Sequence, residues 1–92
     1  ALEPAYPNPA SGRTTIAFSL PEGATGDCEL VVYDLAGRKV RTLVTGKVSP
    51  GRKEVVWDLC DGAGVRVPPG VYVYTLASDS GSAARKLTVT KY

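Results

Sequence analysis

Three aspartates fall in turn-like stretches, Asp34 in "YDLAGRKV" and Asp58 and Asp61 in "WDLCDGAGV". If the fold gathered them at one end, their carboxylate oxygens are the kind of ligand a hard cation such as calcium takes. They lack the regular Asp spacing and closing Glu of a dedicated calcium loop, and aspartates in turns commonly accept hydrogen bonds from nearby backbone N–H groups instead. Tyr33, Tyr72, Tyr74 and Trp57 are the second candidate, as an aromatic platform for carbohydrate. In "GVYVYTL", however, Tyr72 and Tyr74 share a side with Leu76 and are flanked by valines, which suits a strand buried on both faces with hydroxyls reaching the rim. Cys28 and Cys60 are two, as a disulfide requires. If successive strands run up and down, the two lie near opposite ends of the domain, ~20 Å apart at ~3.3 Å per residue. A disulfide needs Cα atoms within ~7 Å, so Cys28 reads equally as a small buried apolar residue.

The chain has no histidine, which removes the commonest general base and metal ligand. No nucleophile sits in a recognisable motif and there is no glycine-rich phosphate loop. A non-catalytic domain without a cofactor is expected. The formal charge of +2 is spread along the chain, and Arg38, Lys39 and Arg41 surround Val40 as an exposed strand face would, so no nucleic-acid partner is expected. No run approaches the ~20 apolar residues of a membrane span, so no direct membrane insertion is expected either. Without a methionine, a chain that starts at Ala1 is expected to be a piece of something longer or a processed product.

The elements that would position these residues are strands. Ninety-two residues suffice for one domain with one core. Turn signals ("PNP", "PEG", "LAG", "SPG", "DGAG", "PPG", "DSGS") bound runs of six to nine residues rich in Val, Leu, Ile and Tyr, the spacing of an all-β sandwich. The pattern predicts strands at 14–20, 28–34, 38–44, 52–58, 71–77 and 83–91, with a short seventh near Ala5 and Tyr6. Period-two alternation sets Ile16, Phe18 and Leu20, then Cys28, Leu30 and Val32, then Val55 and Trp57, and finally Leu87 and Val89 toward the core. In "YDLAGRKV", Asp34 can tie down the backbone and Gly37 can supply the positive φ of a type I turn with a bulge, which makes a hairpin. Asp58 and Asp61 can tie a longer loop that ends at Gly64.

Several stretches then fall into a familiar order: "YPNP", "TTIAFSLPE", "LVVYDLAGRKVRTLVTG", "SPGRKEVVWD", "GVRVPPGVYVYTL" and "RKLTVTK". Together, over residues 2–91, they resemble the C-terminal sorting domain of type IX secretion cargo. They look equally like the Ig-like domain of the flagellar hook-cap protein. The resemblance implies an antiparallel immunoglobulin-like, fibronectin III-like β-sandwich of about seven strands, spanning residues 1–92 as the C-terminal domain of a larger exported protein. It also implies an address rather than a catalyst. Such domains are recognised by the outer-membrane translocon and surface-attachment proteins after transit through the periplasm, and are commonly removed as the upstream cargo domain reaches the cell surface or medium. The matching motif residues here are Pro7, Asn8 and Pro9, then Gly70 and Tyr72, then Lys86, Leu87, Val89 and Lys91. A terminal strand with exposed lysines offers backbone groups for strand addition and charges for register; lysines also protect edge strands from aggregation. The sorting family usually has a glycine after its Trp-Asp pair, whereas Leu59 and Cys60 follow Asp58 here, so a different turn is expected. The alternative is a structural or assembly module on an extracellular enzyme, adhesin or filament, packing through an apolar face made by Val31 and Tyr33.

Overall fold

Alternating side chains build the elements, and their pairing builds two sheets. The computed structural model describes residues 2–21, 27–79 and 81–90. Among these are six strands: β1 Thr14–Leu20, β2 Asp27–Asp34, β3 Lys39–Lys47, β4 Gly51–Trp57, β5 Gly70–Ser78 and β6 Gly81–Val89. Strands β1 and β4 form one antiparallel sheet, and the other runs β3-β2-β5-β6. Only two connections between described strands are hairpins within a sheet, β2 to β3 and β5 to β6; the chain crosses between sheets from β3 to β4 and from β4 to β5. The immunoglobulin-like sandwich is as expected, with six strands rather than seven.

The seventh is replaced by an extended segment. Residues 2–6 lie along β1, with isolated bridges from Leu2 to Phe18 and from Tyr6 to Thr15. After Pro7, Asn8 and Pro9 the chain changes sheets, and Ala10 makes a parallel bridge to Val89 of β6. The Tyr6–Pro7 and Asn8–Pro9 peptide bonds are both cis.

Between the sheets the predicted stripes meet. Ile16, Phe18, Leu20, Cys28, Leu30, Val32, Trp57, Leu87 and Val89 are all buried in one cluster, with Val55 packed against it. Burying each large apolar side chain contributes about 1.5–3 kcal/mol. Tyr72 and Tyr74 belong to this core, and Tyr74 is fully enclosed. Tyr74 Oη donates to the Glu3 carbonyl at 2.8 Å, and Tyr72 Oη donates to the Pro68 carbonyl four residues upstream at 2.6 Å. The second is the tyrosine corner of immunoglobulin-like sandwiches. Burial pushes both phenols above their ordinary pKa. The Trp57 ring meets Tyr72 edge-on at 5.9 Å, and its Nε1 donates to the Cys60 carbonyl.

Three local expectations change. Val31 is 1% exposed although it faces away from the core, so it offers no open apolar face; Tyr33 beside it is half-buried. Arg41 does not share the exposure of Arg38 and Lys39: its guanidinium turns onto the Asp58 carboxylate and the Cys60 carbonyl, each at 3.1 Å. Leu59, where the sorting family usually carries glycine, adopts φ 62° and is fully buried. The left-handed conformation costs about 1–2 kcal/mol for a side-chain-bearing residue, and the burial of Leu59 offsets it.

Candidate recognition site

The motif residues lie far apart in the sequence and meet around the end of β6. On that strand Leu87 and Val89 point into the core, while Lys86 and Thr88 point out. β5 pairs with it so that Gly70 faces Val89 and Tyr72 faces Leu87. The Gly-x-Tyr stretch therefore lies directly beside the terminal strand, held by the Tyr72 corner bond. Gly70 has φ 154° and an open position above it.

The Pro-Asn-Pro stretch grips the other edge of the same strand. Asn8 Oδ1 accepts from the Thr88 N–H at 3.0 Å, Ala10 N–H donates to the Thr88 carbonyl at 2.8 Å, and Thr90 N–H donates to the Ala10 carbonyl at 2.8 Å. The Pro7 carbonyl accepts from the buried Thr14 hydroxyl, which fixes the turn to β1. Arg66, from the loop before β5, donates through its guanidinium to the carbonyls of Ser11 and Thr90. Arg85 donates from β6 to the Leu2 carbonyl at 2.8 Å. The end of β6 is thus clamped on both edges.

Because N–H and C=O groups alternate sides along an antiparallel strand, the outward bonds of Thr88 imply that Ser82, Ala84 and Lys86 also point theirs away from β5. Residues 8–10 occupy that edge at Thr88 and Thr90. The stretch from Ser82 to Lys86 has no neighbouring strand among the described residues. Pro7, Asn8, Pro9, Gly70 and Lys86 are all exposed, while Tyr72, Leu87 and Val89 are buried beneath them. Lys91 lies outside the described residues.

The aspartates act as turn caps. Asp34 Oδ1 accepts from the N–H groups of Ala36 and Arg38, and Asp61 Oδ1 accepts from those of Ala63 and Val65. Asp58 Oδ1 accepts from Cys60 N–H and from Arg41. The backbone bonds from Arg38 and Ala36, with the Arg38 side chain, hold the Asp34 carboxyl below its ordinary pKa. Asp34 and Asp61 both line a groove of about 610 Å³ with Lys39, Arg66 and Tyr72. Among the described residues, no three His, Cys, Asp or Glu side chains are placed to hold a metal ion. Both cysteines are free thiols: Cys28 pairs with Gly46 on β3, whereas the Cys60 carbonyl sits on Arg41, five residues back along that strand. They occupy opposite ends of the sandwich. Burial, with the nearby Asp27 charge, pushes the Cys28 thiol up. The four aromatics share no surface, since Trp57, Tyr72 and Tyr74 are core residues and Tyr33 is on the opposite face.

Sequence patterns did not reveal Ala10, Arg66, Arg85 and Thr88 as parts of this cluster. Their contacts, with backbone groups and, for the Thr88 N–H, with the Asn8 side chain, reach up to 83 residues away and leave no trace in local spacing. The one available signal was the Asn between two prolines, a side chain with acceptor capacity where the backbone lacks donors.

Solved structures of similar shape come from two kinds of assembly. PorU from Porphyromonas gingivalis, in its dimeric latent form, is 31% identical over 99% of this chain with a TM-score of 0.70. PorZ, an essential bacterial surface component of the type IX secretion system of the same organism, is 25% identical over 99% with a TM-score of 0.66. FlgD from P. aeruginosa is 25% identical over 83% with a TM-score of 0.62. The chain spans only 9% of PorU, 12% of PorZ and 58% of FlgD. No curated protein sequence matches. The family model of the FlgD Ig-like domain matches residues 7–82, and the chain belongs to that family.

Proposed function

We propose that this domain is a non-catalytic recognition and attachment module of a larger exported protein, read in its folded state by type IX outer-membrane machinery and surface-attachment proteins. The observation that carries the reading is the convergence of the Pro-Asn-Pro, Gly-x-Tyr and terminal-strand stretches on one strand end. A constant folded tag lets one receptor serve many cargoes, and here its shape depends on contacts that exist only after folding. The likeness to PorZ and PorU supports the machinery named, and implies transit through the periplasm to the cell surface.

The test is a periplasmic reporter carrying residues 1–92 at its C-terminus, expressed in a host with the type IX machinery and in a strain lacking it. Surface delivery is expected only in the first, and Asn8→Ala or Lys86→Glu is expected to leave the reporter in the periplasm. Equal delivery in both strains sinks the reading.

The likeness to FlgD, of which the chain spans more than half, favours a second reading: a permanent Ig-like assembly module. Mature parent protein that still carries residues 86–90 supports it, whereas parent protein that ends before Ala1 supports the removable tag.

A further inference from the structure

The outer face of the four-stranded sheet is used by none of the contacts that clamp β6. Near the end of the sheet, beside the 34–38 hairpin, the register sets Lys39 of β3 beside Tyr33 of β2, Tyr33 beside Val73 of β5, and Val73 beside Lys86 of β6. With strands ~4.8 Å apart, the two lysine positions are ~14 Å apart. Tyr33 and Val73 are half-buried and both lysines are exposed. Among the described residues neither ammonium has a hydrogen-bond or ion-pair partner. Val31 and Thr75 form the next row, and the carboxylates on this face, Glu29 and Asp27, lie further along β2.

We infer that this face docks a protein partner that presents an apolar side chain between two carboxylates spaced to meet Lys39 and Lys86. The half-buried Tyr33 and Val73 supply apolar contact area at the centre, and unpaired charges at the two margins select a partner of opposite sign. A second copy of this chain is the wrong occupant, because a two-fold contact centred on the row sets lysine against lysine. The lysines stand on the sheet's edge strands, where they also discourage strand-to-strand aggregation. The inference shares Lys86 with the sorting reading, whereas Lys39, Tyr33 and Val73 are not among the sorting-motif residues, so Lys39→Glu is the variant that tells the two apart.

The test titrates the 92-residue chain with a fluorescein-labelled peptide, Gly-Glu-Thr-Val-Thr-Glu-Gly, whose glutamates in an extended chain lie ~13 Å apart on one side. Amide NMR shifts are expected to saturate and to centre on Lys39, Tyr33, Val73 and Lys86, with binding weakened by added salt. Lys39→Glu is expected to weaken binding about threefold and Lys39→Glu with Lys86→Glu about tenfold or more, with the circular dichroism of the fold unchanged. Asn8→Ala, which disturbs only the sorting cluster, is expected to bind the peptide as the parent does. No saturable shift, shifts centred elsewhere, equal binding of the same peptide with lysines for glutamates, or preference for phosphatidylserine vesicles over the peptide would each overturn the inference.

Discussion

The turns at 34–38 and 61–65 are one local structure in two surroundings. Each begins with Asp, has Ala two residues on and then Gly with φ 85°, and each is closed by the same four bonds. The Asp Oδ1 accepts two N–H groups, the Asp carbonyl accepts the Gly N–H, and the Asp N–H donates to the carbonyl four residues on. The first joins adjacent strands β2 and β3 and stands in solvent, with Leu35 two-thirds exposed. The second lies in the crossover between sheets and is docked: Gly62 N–H donates to the Val40 carbonyl, and Val67 N–H to that of the buried Leu59 just upstream. Local chemistry therefore specifies the turn alone, and tertiary anchoring specifies what the turn positions.

The sharpest way to break this comparison is at the anchor. Leu59→Ala is expected to cost about 2–5 kcal/mol in urea denaturation, against at most about 0.5 kcal/mol for Leu35→Ala. Similar losses for the two would mean that the second turn is no more anchored than the first. Asp61→Ala leaves two backbone donors without their acceptor and is expected to cost about 1–3 kcal/mol. Gly37→Ala and Gly64→Ala test the local half of the argument. Nothing lies within 4 Å of either new Cβ, so each is expected to lose the same amount, about 1–2 kcal/mol, from the left-handed backbone alone. The smallest effect is on pH dependence. The folded pKa of Asp34 is depressed, so its contribution is complete above the unfolded aspartate value of about 3.9 and is lost as pH falls through the lower folded value. Acid titration of Asp34→Asn is expected to show a shallower loss of stability in that window than the parent.

The same division explains what could be read from the sequence. Strand starts and ends follow from turn residues, and β1 to β5 lie within one residue of expectation at their starts. The inward stripes and the buried tyrosines follow from period-two alternation and flanking valines. Pairing does not: no local pattern says that β4 joins β1 rather than β3. Ala17 is buried although it faces outward, because residues 2–6 lie along β1 and Glu3 N–H bonds to its carbonyl. Of the stretches that adjoin the end of β6, the family resemblance singled out the motif residues, whereas the clamp made by Ala10, Arg66 and Arg85 required the fold.

The parallel bridge between Ala10 and Val89 has a mechanical meaning. Two parallel segments, one leading in from the start of the chain and the other running out to its end, are drawn past one another when the two ends are pulled apart. The bonds joining Asn8 and Ala10 to Thr88 and Thr90 are then loaded together in shear rather than opened one at a time. The rate of forced unfolding is set by how fast that patch yields. Pulled by its two ends, the domain bears tension along its length.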